Sequence, residues 1–118
     1  MITNSTILLS VDYLPPNSTS SLSGSLDLSD VLKCGVQGQA FFRENASSNV
    51  RINIYGSMGY GFDTEPYAAF DIPVHGNQTV LLSVSLIPDP YYIKVQAINL
   101  DSNQTAESVQ VRVAYSSP

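Results

Sequence analysis

The sequence predicts an all-β protein: a single antiparallel β-sandwich, jelly-roll or immunoglobulin-like, of seven to eight strands, with a possible N-terminal arm strand. Three observations predict it. Apolar residues recur at every second position in five separate segments, the pattern of strands with one face buried. Clusters of Gly, Pro, Asn, Asp and Ser separate the segments at roughly ten-residue spacing, as in sandwiches and barrels. No segment carries a 3.6-residue period, and residues 29–34 could make one helical turn at most.

In order, TILLSVDY places Ile7, Leu9, Val11 and Tyr13 on one face and Leu8, Ser10 and Asp12 on the other. Weaker patterns mark a short strand around residues 26–28 and longer ones over 34–43 and 67–72. NVRINIYGS alternates Val50, Ile52 and Ile54 with Arg51, Asn53 and Tyr55. TVLLSVSLI, YYIKVQAI and SVQVRVAY alternate in the same way. The breaks RENASSN, SMGYGFDTEP, PVHGNQ, PDP and NLDSNQT are turn chemistry, the last with the composition of a hairpin loop. Strand order is not written in periodicity, so both sandwich topologies stay open.

The stretch YLPPNSTSSLSGSLDLSD between the first strand and the body is unusual. Pro15-Pro16 stiffens the exit from the strand and keeps Leu14 extended. The serine-rich run behind it has the composition of a flexible linker. Two arrangements fit. The run is a surface loop joining two strands of one sandwich, or residues 1–14 form an arm that pairs with a neighbouring subunit. TILLSVDY is apolar on one face and carries a single charge, so it must be paired somewhere. The expected division is a strand or arm over 1–14, a linker or loop over 15–25, and the sandwich over 26–118.

The 118 residues fit one domain, and 43% of them are hydrophobic, enough for a core. Only 13% are charged, about half the usual fraction. A neutral polar surface gives up charge repulsion as a defence against association. The expected partners are therefore copies of the chain itself, in a homo-oligomer, and other structural proteins of the same assembly. The net charge is −5 and the five basic residues are scattered, which argues against nucleic acid and against an anionic membrane surface. MITNSTILLSV lacks a secretion leader's features. The chain is thus expected to be a mature product, or to be made in a cytoplasm and released by assembly or lysis.

Catalytic chemistry finds no constellation. Cys34 is the sole cysteine, read as a small buried apolar side chain with an intermolecular disulfide as the alternative. His75, the sole histidine, lies in a turn. SMGYGF has no following helix to bind an anion. Asp63, Glu65 and Asp71 read as a solvated acidic loop rather than a calcium site. No enzyme activity and no cofactor are expected. Phe41 and Phe42 are adjacent, so one faces the core and the other faces outward. Tyr60, Tyr91 and Tyr92 sit near expected loops and can anchor a protein interface at low entropic cost. With Ile7, Leu9, Val11 and Tyr13 of the first strand, they are the candidate contact residues. Five Asn-x-Ser/Thr triplets begin at Asn4, Asn17, Asn45, Asn77 and Asn103; they fit loop composition as well as glycosylation.

The run from INIYGSMGYGF through YIKVQAINL to VRVAY resembles the small β-sandwich accessory proteins of virus particles. The resemblance lies in layout over roughly residues 26–115: a strand ending in YGS, a glycine-rich loop, a YIKVQ strand after proline, and a last alternating strand at the end. It implies a virion accessory or capsid decoration protein, located in a virion or an extracellular assembly. The chain is also similar to subunits of bacterial spore appendages, which have a sandwich and an extended N-terminal arm. That resemblance implies a self-assembling filament subunit. Those subunits carry cysteines near the N-terminus for cross-linking, and here only Cys34 is present. A carbohydrate-binding module is a third reading.

Overall fold

The computed structural model describes residues 2–118. Eight strands form: β1 (Ile2–Leu14), β2 (Leu26–Asp27), β3 (Lys33–Phe42), β4 (Val50–Ser57), β5 (Ala68–Ile72), β6 (Gln78–Leu86), β7 (Tyr92–Asn99) and β8 (Ala106–Ser117). Every expected strand is present. β1 starts before the TILLSVDY pattern because pairing, not periodicity, holds its polar beginning: Thr3 and Asn4 lie opposite Ser116 and Tyr115.

The strands lie in two antiparallel sheets, ordered β1-β8-β3-β6 and β2-β7-β4-β5. β1 pairs β8, β2 pairs β7, β3 pairs β6 and β4 pairs β5. The chain is therefore one long hairpin folded over on itself. The pairs β3·β8 and β4·β7 join its limbs into sheets.

The core lies between the sheets. Val36 and Val113 share a rung in one; Ile52 with Ala97, and Ile54 with Val95, form rungs in the other. All six are essentially inaccessible to solvent. Near β5 the sheets approach so closely that β3 needs glycine. A Cβ on Gly38 would stand 2.7 Å from Ile72 Cδ1 and 3.0 Å from Phe70 Cε2. Phe42 is buried and Phe41 faces outward, half-covered.

Two bulges break the simple alternation. Ile7 pairs Arg112 and Leu9 pairs Val111, so Leu8 is an extra residue. The strand changes phase there. Ile7 faces out, while Leu9 is buried and Val11 packs against the core. Ser108 adopts a left-handed φ of 51°, and β8 changes phase with it, so that Ala106 and Val109 both face in. On β1, Leu14 then turns inward beside Ala106 and Tyr13 outward beside Glu107. Ile7, Leu9, Val11 and Tyr13 thus do not share one face.

Residues 15–25 are not a free linker. They run beside β7 as a substitute strand. Asn17, Ser20 and Ser23 donate their amides to the carbonyls of Asp101, Ala97 and Val95 at 2.8–2.9 Å. In return, the Val95 amide donates to Ser23 Oγ and the Ala97 amide to Ser20 Oγ, both at 2.9 Å. The Asn99 amide donates to the Ser18 carbonyl. Two hydroxyls thus stand in for backbone carbonyls, which lets an irregular segment satisfy a regular edge. The serines that suggested a flexible linker are the groups that fix it. β1 itself pairs within its own chain along its whole length.

Candidate assembly surfaces

The loops between β2 and β3, β4 and β5, and β6 and β7 meet at one end of the sandwich. They expose Leu32, Met58, Tyr60, Ile87 and Tyr91, beside Tyr92 at the start of β7; Tyr60 stands wholly in solvent at 109% relative exposure. This tip is held firmly from below. Tyr91 donates its amide to the Ser57 carbonyl at 2.9 Å and accepts from the Leu28 amide at 2.7 Å. Gly59, at φ 115°, carries the chain past the Tyr91 ring. Phe62 lies under the Lys94 ammonium, 4.6 Å from ring centre to Nζ. Asp63 N–H donates to the Gly56 carbonyl, and Tyr67 Oη donates to the Ile87 carbonyl at 2.9 Å. The loops therefore present their apolar side chains from a fixed frame, which lowers the entropic cost of docking. Exposed Asp30, Asp63, Glu65 and Asp89 rim the tip, with Lys33 as a cation beside them.

The opposite end is polar and tied by one residue. Asp101 is 1% exposed. Its Oδ1 accepts from the amides of Ser47 and Ser48 and the Ser47 hydroxyl; its Oδ2 accepts from the amides of Asn103 and Gln104. Burial pushes the carboxyl up, but these donors outweigh burial and hold it at about 2. Asn99, fully buried, donates to the carbonyls of Leu14 and Gln104 and accepts from the Asp101 amide. The composition of NLDSNQT suggests a hairpin loop, but β7 and β8 lie in different sheets, so the segment crosses from one sheet to the other; it also ties in the end of β1 and the β3–β4 connection. Asp at 101 followed by Asn103 and Gln104 is the local signal, an Asx-type turn.

The structure does not gather the reactive side chains. His75 is exposed in the β5–β6 connection. Cys34 is buried, donates its thiol to the Leu86 carbonyl at 3.4 Å, and has its pKa raised by desolvation. Asp71 pairs with Arg51 at 2.8 Å rather than with Asp63 or Glu65. Among the described residues no group of three His, Cys, Asp or Glu side chains could hold a metal ion. The asparagines of all five Asn-x-Ser/Thr triplets are exposed. Asn17 and Asn77 adopt left-handed φ values of 54° and 59°, which Asn tolerates better than most residues. That is a conformational reason for Asn at those two turns. Of the candidate contact residues, Tyr60, Tyr91 and Tyr92 come together at the tip. Ile7 and Tyr13 are exposed on β1, and Leu9 and Val11 fill its own core.

The flank formed by β5 and β6 escaped the sequence reading. β6 closes its sheet with β3 on one side and, among the described residues, no strand on the other. Its inward residues Val80, Leu82 and Val84 are only half-buried.

No protein-family model matches the sequence, and no curated protein does. Solved structures match the fold. One described as the PBSX exported protein XepA superposes over 98% of this chain with a TM-score of 0.57 and 17% identity; the chain spans 37% of that protein's length. The K1 cleaved adhesin domain of Lys-gingipain from Porphyromonas gingivalis W83 matches over 100% of this chain and 99% of its own, with a TM-score of 0.50 and 11% identity. A subunit of disulfide-linked Bacillus endospore appendages matches over 99% of this chain and 88% of its own, with a TM-score of 0.48 and 12% identity. At these identities the likeness is one of fold alone.

Proposed function

We propose that this chain is a non-enzymatic structural subunit of a multi-subunit particle, a virion accessory or capsid decoration protein located in the virion or another extracellular assembly. The nested strand order is read as the jelly roll, an architecture shared by capsid and lectin domains. The observation that carries the proposal is the tip. Six large apolar side chains, three of them tyrosines, stand exposed together on a braced frame, on a chain with few charges to oppose association. Clustered exposed apolar residues on a soluble domain mark an interaction surface. Rigid tyrosines are efficient anchors. The acidic rim suits a partner surface with basic residues around an apolar centre.

The alternative is a filament subunit in which β1 leaves its own sheet and completes the next subunit's. β1 is an edge strand, and Pro15-Pro16 follows it. In that arrangement Leu9 and Val11 would fill a neighbour's core, and Ile7 and Tyr13 would lie on the shared outer face.

Density-gradient sedimentation of a lysate from the producing cells tests the proposal, with mass spectrometry of each fraction. The chain is expected to co-band with a particle at constant stoichiometry. A Tyr60→Ser/Tyr91→Ser variant is expected to stay at the top of the gradient while keeping its folded circular-dichroism spectrum. Wild-type chain found only at the top would overturn the reading. Long fibres of purified chain in negative stain would support the filament alternative instead.

A further inference from the structure

Sheet edges invite pairing with foreign strands, and native domains blunt them with charge, proline, bulges, short length or a covering segment. Most edges here are blunted. β5 has five residues and carries Asp71 in an ion pair. β1 is bulged at Leu8 and carries Asp12. The open side of β7 is covered by β2 and the serine segment. β6 has none of these devices. QTVLLSVSL has nine residues, no charge and no proline, and it pairs β3 without a register shift. Among the described residues no backbone hydrogen bond reaches its outer side between 79 and 86.

The core also opens there. Val84 shares a rung with Val36 and Val113. Those two are buried to 1% and 0%, whereas Val84, Leu82 and Val80 remain half-exposed. A strand laid along β6 would satisfy the backbone and cover these side chains in one step.

We propose that the covering strand is β6 of a second copy, antiparallel, with Leu82 at the twofold axis, so that two four-stranded sheets fuse into one. The proposal rests on the assembly reading and names one of its contacts. An uncharged edge offers nothing to a charged strand but suits itself. The inward triplet Val80, Leu82, Val84 reads the same in both directions. A twofold at Leu82 sets Val80 opposite Val84 of the second copy, and Leu81 opposite Ser83, so each member of this inward triplet faces an apolar residue; Leu86, already buried in its own core, faces Gln78. β1 of a second copy would bring its bulge and Asp12 to the seam. One strand pair buries less than the ~1,000 Å² of a strong standing interface, so the dimer is weak, with a dissociation constant on the order of micromolar.

Sedimentation velocity on the purified full chain across a concentration series tests this. Wild type is expected to show monomer–dimer exchange. Ser83→Lys, a substitution at an exposed outward position, is expected to raise the dissociation constant by roughly tenfold or more with the melting temperature of dilute protein unchanged. Leu82→Cys is expected to form a covalent dimer on mild oxidation, because directly opposed residues lie within disulfide reach. Leu81→Cys is expected to form none, since it faces Ser83. A wild type that stays monomeric, a dimer indifferent to Ser83→Lys, or equal cross-linking at 81 and 82 would each overturn the proposal. Particle co-banding that persists in such a case leaves the assembly reading standing; loss of co-banding in wild type removes that reading independently.

Discussion

On one flank of the sandwich, residues 15–25 run beside β7 and supply two serine hydroxyls and a carbonyl to the amides of Val95, Ala97 and Asn99. On the other flank, β6 ends its sheet with its backbone open and Val80, Leu82 and Val84 half-exposed. Both flanks belong to the same two sheets, and both face the same difficulty of unpaired edge groups. Edge protection need not come from charge. The closed flank uses small hydroxyl side chains, which can imitate backbone acceptors because they are short. The open flank has serines too, Ser83 and Ser85, but they point out from the sheet face and cannot reach the edge. Position relative to the backbone, not composition, decides which serine seals.

The largest effect is expected from removing residues 1–14. β1 supplies Leu9 and Leu14 to the core and pairs β8 along its length. The truncated chain should lose cooperative thermal unfolding and aggregate through bared β8. A soluble truncated chain with an intact melt would show that β1 is dispensable to the closed flank, and would favour the exchanged arm.

Next comes Asp101→Ala, which strands several half-buried amides at the end where β1 is tied in. It should destabilise by about 2–4 kcal/mol in denaturant titration. The same carboxylate predicts a pH dependence. Its folded pKa of about 2 lies below the ordinary aspartate value of 3.8. It therefore stabilises the fold fully above about pH 4, and that contribution is lost as pH falls toward 2. Asp101→Ala should flatten this part of the stability–pH curve.

Ser20→Ala and Ser23→Ala sharpen the comparison directly. Each removes the acceptor of a β7 amide and should cost about 1–2 kcal/mol, whereas Ser85→Ala on β6 should cost almost nothing. The smallest contrast lies along the rung shared by both regions. Val113→Ala should cost about 2 kcal/mol and Val84→Ala about half of that in dilute protein, because Val84 is incompletely removed from water. Equal losses would mean that the β6 flank is as closed as the rest.

The strands were legible because one face of each is buried, and burial of one face leaves a period of two in the sequence. What escaped has no such trace. The bulge at Leu8 sits inside the apolar run ILL, and nothing there marks which leucine is extra. Ser108 takes a left-handed conformation without being Gly, Asn or Asp, so the phase change in β8 was hidden. Ser20 and Ser23 read as linker because a serine that accepts from a distant amide looks the same as a solvated one. The tip was half legible. Tyr60, Tyr91 and Tyr92 stood out as loop tyrosines, but Leu32, Met58 and Ile87 joined them only when three connections met at one end. Asp101 looked like an ordinary turn acid because its partners Ser47 and Ser48 are far away in sequence.

Amide hydrogen exchange on dilute protein, resolved residue by residue by NMR, tests the contrast between the two flanks most directly. The Val95 and Ala97 amides are expected to exchange only through global unfolding, as central-strand amides do, although their acceptors are side chains. The alternate β6 amides directed away from β3 are expected to exchange rapidly. Fast exchange at Val95 and Ala97, or slow exchange of those β6 amides in monomeric protein, would contradict that contrast.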